Sequence, residues 1–308
     1  MFERQKAFDG YAKAYALHKS AVTCNGLGIG HLGLDRIDVA KTYFAMAIQL
    51  DKADHTGYFN MGFALNRQKQ YEEALRYFNL ALGIKADHVN SKLSKMDVLF
   101  SLKQYQACLD ETESLIAMEA FDSDVYEFMG RSLNELEQFE KALLAFDKAL
   151  SIDPDNTTSH LHRATAYHSL ERYEEEIPDR TAVIEAFVEA KATNYLIGQS
   201  YFFRGAAKGN AGDLDGAIED YNTSLTIEPN QSGTYINRSV TKIHLDDLEG
   251  ACLDYDKAIQ LEPSAEEIFT RYVSADPEVY EDFLIYCEIS VELPEFDTRS
   301  QPKKLIHL

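Results

Sequence analysis

The 308-residue chain has no tryptophan, only seven prolines and sixteen glycines, and four cysteines. So little proline and glycine leaves no room for a long flexible linker. No run of about 18 apolar residues occurs, which argues against a membrane-spanning helix. The opening MFERQKAFDG has no apolar core of a secretory signal peptide. Cys24, Cys108, Cys252 and Cys287 are scattered, with no CxxC pair. That usage suits a reducing compartment, with the cysteines serving as small buried side chains, and we expect a cytoplasmic protein. Positive charge is also scarce. Thirty Lys and Arg face 51 Asp and Glu, a formal charge of −21. Such a surface is wrong for wrapping nucleic acid or for docking on an anionic membrane, and it favours partners with basic segments.

What the chain does have is repetition. YFNMGFALNRQKQYEEALRYFNLALGIKAD from Tyr58 and YEFMGRSLNELEQFEKALLAFDKALSIDPD from Tyr126 share small, aromatic and alanine positions at identical spacing. The frame is 34 residues. A small residue recurs at Gly28, Gly62, Gly130, Ala164, Gly205 and Ser239. A tight slot recurs at Ala40, Ala74, Cys108, Ala142, Ala217 and Ala251, with an aromatic four residues later at Phe44, Phe78, Phe146, Tyr221 and Tyr255. Prolines close units at Pro154, Pro229 and Pro263. Small residues let two antiparallel helices approach, and residues four apart share the face that stacking must bury.

These features resemble the tetratricopeptide repeat family, whose unit is a 34-residue helix-turn-helix. The resemblance implies an all-α, right-handed solenoid of stacked units with helical caps. We place full units at 21–54, 55–88, 89–122, 123–156 and 157–190, then 198–231 and 232–265. Residues 1–20 form a capping half-unit, with Ala7, Tyr11 and Ala14 in second-helix slots. Residues 266–290 form capping helices started by Asp276 and Pro277, and 291–308 an irregular tail. The fifth unit is the exception. Glu176 and Arg180 take the alanine and aromatic positions, and Pro178 lies inside the second helix. The helix there is expected to start late, near Pro178, or to be strained. Together with seven extra residues at 191–197, these departures predict a joint and a bend in the solenoid.

No catalytic constellation emerges: there is no P-loop and no HExxH, and we expect a non-enzyme without cofactor or metal. GLGIGHLG, from Gly26, follows no strand and lies in a helix, so it is not a phosphate loop. His160, His162 and His168 share one helix, but residues two apart do not share a face. Those histidines therefore read as packing or surface residues.

The resemblance implies protein binding along a concave face lined by each unit's first helix. Frame positions point Val22, Asn25, Ile29, Phe59, Phe63, Asn66, Leu93, Asp97, Phe100, Glu127 and Arg131 there, with Phe202 and Ile236 in later units. Phe59, Asn60, Phe63, Leu93, Phe100, Glu127, Arg131, Phe202 and Asn237 are the candidate contact residues. The Lys/Asn/Arg clamp for Hsp70 or Hsp90 tails is incomplete, because Asn25, Ile29, Asn90 and Ser94 stand where its partners to Asn60 belong. Only Asn60 and Asn237 fit the asparagine ladder of glycosyltransferase-linked members. The expected function is a non-catalytic scaffold or adaptor for a peptide or helix. The alternative is a regulatory sensor whose curvature changes when peptide binds.

Overall fold

The computed structural model describes residues 2–119, 122–275 and 277–287, all of it helix and short connections among those residues. The side chains of 2–7, 273, 279, 282 and 284–286 lie outside the description. So do the tail expected at 291–308, the last capping residues and the expected cap Asp276. Two compact units are present, Met1–Pro154 and Asp155–Leu308.

The first unit begins with α1 (Phe2–Leu17). Four hairpins follow: α2 (Ala21–Gly33) with α3 (Ile37–Leu50), α4 (His55–Arg67) with α5 (Tyr71–Ile84), α6 (Val89–Ser101) with α7 (Tyr105–Ala117), and α8 (Ser123–Glu135) with α9 (Phe139–Ile152). Ser20, Asp54 and Asp122 cap the starts of α2, α4 and α8 by accepting from backbone N–H groups. Each hairpin turns on a residue with left-handed backbone, at Asp35, Lys69, Lys103 and Glu137. The small position works by contact. A Cβ on Gly62 would stand 2.8 Å from the Phe78 ring, and one on Gly130 would stand 2.5 Å from Phe146. Ala40, Phe44, Ala74, Phe78, Ala142 and Phe146 are fully buried, so the slots read from the frame are the core.

GLGIGHLG has a packing explanation of the same kind. Gly26 accepts the Tyr11 ring, Gly28 the Phe44 ring and Gly30 the Phe8 ring. Alternate glycines thus let α1 and α3 both lie close on α2.

The second unit holds α10 (Thr157–Ser169) with α11 (Tyr173–Glu189), α12 (Asn194–Asn210) with α13 (Leu214–Ile227), and α14 (Ser232–His244) with α15 (Leu248–Leu261). It closes with α16 (Ala265–Ala275) and α17 (Pro277–Tyr286). Here the structure corrects the sequence reading twice. First, α11 starts at Tyr173 and runs through Pro178 without interruption. The proline is exposed, as is Glu174, whose carbonyl loses its donor. Second, the seven extra residues at 191–197 are not a separate insertion between two ordinary units, since α12 already starts at Asn194. At 17 residues, α11 outruns the 14 of α13 and α15, and α12, also 17, outruns the 13 of α10 and α14. Helix extension absorbs the insertion, and α11 packs directly on both α10 and α12.

The departures at Glu176 and Arg180 are also resolved. Glu176 is completely buried and accepts from Arg180 Nε at 2.9 Å, with His168 Nδ1 3.0 Å away. Asp179 accepts from Arg163 through Nε and Nη2 at 2.8 and 2.7 Å, with His160 Nδ1 at 2.6 Å. The Arg180 guanidinium lies over the Phe203 ring. A charged lattice replaces the alanine–aromatic pair, and the two histidines serve different carboxylates. The cysteines divide. Cys24 and Cys108 are buried thiols, whereas Cys252 on α15 and Cys287 after α17 form a disulfide. That bond overturns the reading of all four as small packing residues.

Candidate protein-docking surface

Within the first unit the first helices of the hairpins, α2, α4, α6 and α8, carry most of the candidate contact residues. Ile29 is 52% exposed and Phe63 is 41% exposed, so both present apolar surface. Phe59 is half-buried. Its ring packs 6.1 Å from Phe78, 6.3 Å from Phe63 and 5.2 Å from His88, tying the exposed ring to the core. Burial, then the nearby His55 and Lys85, lower the pKa of His88. Leu93 is half-buried in the cluster around Met96 and Leu115. Asn60 is buried and donates to Asn25 Oδ1 at 3.3 Å. Asn66 donates to Asp97 Oδ2 at 2.9 Å.

Arg131 on α8 is the most constrained member of the set. Its guanidinium lies 4.2 Å from the Phe100 ring centroid and 4.9 Å from Phe128, and Nη1 donates to Glu127 Oε1 at 3.0 Å. Phe100 and Phe128 meet edge to face at 5.8 Å, and Tyr105 meets Phe100 at 5.4 Å. A cation held by two rings and a carboxylate is preorganised rather than free to swing. Asp124 is exposed one turn before Glu127, its pKa raised by partial burial and by Asp122 and Asp153. Frame positions identified Phe100, Glu127 and Arg131 but missed Phe128. Its signal was present, since it lies three residues before Arg131 on one helix.

The later members lie elsewhere. Phe202, 3% exposed, packs on Tyr221 and Phe203, and Asn237, 2% exposed, accepts from Tyr272 Oη at 2.8 Å. Both are internal braces of the second unit. A cleft of ≈ 310 Å³ opens beside Phe202, lined also by Gln199, Gln231, Thr234 and Ile268. Among the described residues no group of three His, Cys, Asp or Glu could hold a metal ion. No helix among them is long and apolar enough to cross a membrane.

Comparison with known proteins agrees with this architecture. Tetratricopeptide repeat models match residues 55–88 and 198–231, and a TPR repeat model matches 130–171. A tetratricopeptide repeat protein from Parabacteroides merdae superposes over 81% of this chain and 97% of its own, with a TM-score of 0.56 and 17% identity. The C-terminal part of a TPR repeat-containing protein from Cytophaga hutchinsonii does so over 75% and 93%, with a TM-score of 0.59 and 16% identity. Among curated sequences, human mitochondrial import receptor subunit TOM70 is 22% identical over 60% of this chain, and anaphase-promoting complex subunit 3 of Schizosaccharomyces pombe is 24% identical over 48%. The chain spans only 30% and 23% of the length of those two relatives. Repeat frame, hairpin geometry and family matches converge: the chain carries tetratricopeptide repeats.

Proposed function

We propose that the chain is a non-catalytic interaction scaffold that docks a protein segment along the α2–α4–α6–α8 face of its first unit. The observation that carries this is Arg131, clamped between Phe100 and Phe128 and tied to Glu127, in the row of first helices that also carries the exposed Phe63 and Ile29. A fixed guanidinium orients a backbone carbonyl or carboxylate of the docked segment, and the exposed apolar side chains supply anchors. Asp97, Asp124 and Glu127 outnumber Arg131 on this face, and the chain carries −21 overall, so the segment is apolar with basic flanks. The receptor and complex-subunit names of the curated relatives fit an interaction role.

The test is affinity capture by the full chain from cells of its source, scored by mass spectrometry, beside the variants I29E, F63A and R131A. A common set of proteins should be lost from all three variants while their helical content is unchanged. An identical set captured by all four proteins would sink the reading.

A further inference from the structure

The cleft beside Phe202 belongs to the second unit alone, so it stands whether or not the first unit docks a segment. Phe202 and Ile268 give it apolar walls, and Gln199, Asn230, Gln231 and Glu262 give it polar ones. Ligand cavities run from about 300 to about 1,000 Å³. At ≈ 310 Å³ this one suits a single long side chain.

Its charge is one-sided. The segments that supply its lining, 199–202, 228–234 and 262–268, hold Glu228, Glu262, Glu266 and Glu267 and no Lys, Arg or His. Of these four acids Glu262 lines the cleft itself. Its two carboxylate oxygens accept from Ser232 Oγ and Ser264 Oγ, each at 2.7 Å. Those bonds lower its pKa and fix its orientation, so the carboxylate is ionised and held still. Ser232 is the first residue of α14, whose N-cap Gln231 makes no side-chain bond to the helix N–H groups. The positive end of that helix further favours the charged carboxylate.

These groups select one kind of ligand. Each carboxylate oxygen keeps a second lone pair, and the Gln199 and Asn230 amides add carbonyl acceptors. Several fixed acceptors match the planar fork of a guanidinium better than the point charge of an ammonium, and Phe202 and Ile268 suit its aliphatic stem. Tyr195 and Leu196, 60% and 42% exposed, lie one turn before Gln199 on the helix face that it shares. They extend apolar surface past the cleft, where residues flanking an arginine would rest and a free guanidinium compound would gain nothing.

We propose that the cleft formed by α12, α14 and α16 takes an arginine side chain of a partner protein's segment, with Glu262 as its counter-charge and Tyr195 and Leu196 as the support for flanking apolar residues.

The probe is a rhodamine-labelled, end-blocked peptide ALRLA, titrated with the full chain by fluorescence anisotropy beside the same peptide with citrulline, the neutral isostere, in place of arginine. The proposal expects saturable binding of the arginine peptide and binding about fivefold weaker for the citrulline peptide. E262Q should weaken the arginine peptide by the same factor and should no longer distinguish the two peptides, which is the signature of direct coupling. Glu262 is exposed, so this variant changes charge without disturbing the core. F63A and R131A should bind as the unaltered chain does. Absence of binding, equal binding of both peptides, or an undiminished preference for arginine in E262Q would each overturn the proposal. Loss of binding in R131A with none in E262Q would place the peptide on the first unit and overturn it as well. Agmatine binding as tightly as the arginine peptide would assign the cleft to a free guanidinium compound and overturn the partner assignment.

Discussion

Arg238 on α14 grips Asp254 on α15, sixteen residues later, through Nε and Nη2 to both carboxylate oxygens, at 2.8 and 2.5 Å. Its remaining Nη1 donates to Asn222 Oδ1 on the preceding α13 at 2.6 Å. Arg204 repeats the arrangement with Asp220 and reaches back to Thr181, and Arg163 repeats the fork with Asp179. Lys208 and Lys242 reinforce two of the carboxylates. In the first unit Lys95 pairs with Glu111 at the same frame positions. Where the first position is instead Leu27, Met61 or Met129, the second is Tyr43, Tyr77 or Ala145. The pair is exchanged as a unit, ionic for apolar.

Removing half of an ionic pair should therefore cost far more than exchanging it whole. R238A takes the fork from buried Asp254 and leaves it Lys242 alone, and we expect a loss of about 1–3 kcal/mol from the second unit in urea unfolding. The double replacement R238M/D254Y, which copies the Met61 and Tyr77 pair, should recover most of that loss. A double variant as unstable as R238A would show that the fork is required in itself.

Left-handed turn residues offer a stabilising change. Lys69, Lys103 and Glu137 are exposed, with φ of 59°, 58° and 57°. Glycine removes the Cβ penalty there, less the entropy it adds to the unfolded chain, so K103G and E137G should each gain roughly 0.5–1 kcal/mol. Gly212, at φ 92°, already uses glycine, with nothing within 4 Å of an added Cβ. G212A should therefore lose about 1 kcal/mol for backbone reasons alone. Thermal melts of the three variants decide it.

Acid should weaken the first unit through His88. Burial, His55 and Lys85 hold its pKa below the ordinary 6.5. Because the folded value is depressed, the unfolded chain binds the proton more readily. The stabilising contribution is present above 6.5 and is lost as pH falls through the folded value. H88Q should flatten that part of the stability profile below pH 6.5. An unchanged slope would exclude His88. At the other extreme, burial pushes the Cys108 thiol up to about 11. Its contribution should hold below 9 and fall as pH rises toward that value, and it should resist alkylation in the folded chain at about pH 8.

The Cys252–Cys287 bond joins residues 35 apart in the chain and fastens α17 to α15, where Tyr280 and Phe283 are buried with Phe269 and Tyr255. Intact mass should show two hydrogens missing, restored by reductant. C252S/C287S should lose about 2–4 kcal/mol from the end of the second unit, read as faster amide exchange in α17. Equal exchange in both forms would assign the cap's hold to packing alone.

Much of the fold can be read in the sequence because a stacked repeat depends on local rules. Gly62 opposite Phe78 and Ala74 one turn before it follow from spacing alone. The candidate residues were legible in part for the same reason: Phe63 is exposed on α4 and Arg131 half-buried on α8, both at the same frame position. Phe202 and Asn237 occupy the positions of Phe59 and Asn60, and Phe202 is buried where Phe59 is half-buried, with Phe203 as well as Tyr221 against it. Frame position fixes direction along one helix, not what stands opposite.

The sequence by itself determined the period and the identity of the apolar core, since both rest on contacts between residues close in the chain. Only the tertiary structure decided how the exceptions are accommodated. Pro178 is tolerated because its face of α11 is solvent. Glu176 and Arg180 can replace an alanine and an aromatic because they neutralise each other, with His168 satisfying the second carboxylate oxygen. Cys252 meets Cys287 because α17 packs back on α15. Each of these depends on a partner that the repeat frame does not specify, and burial makes an unmatched partner too costly to leave in place.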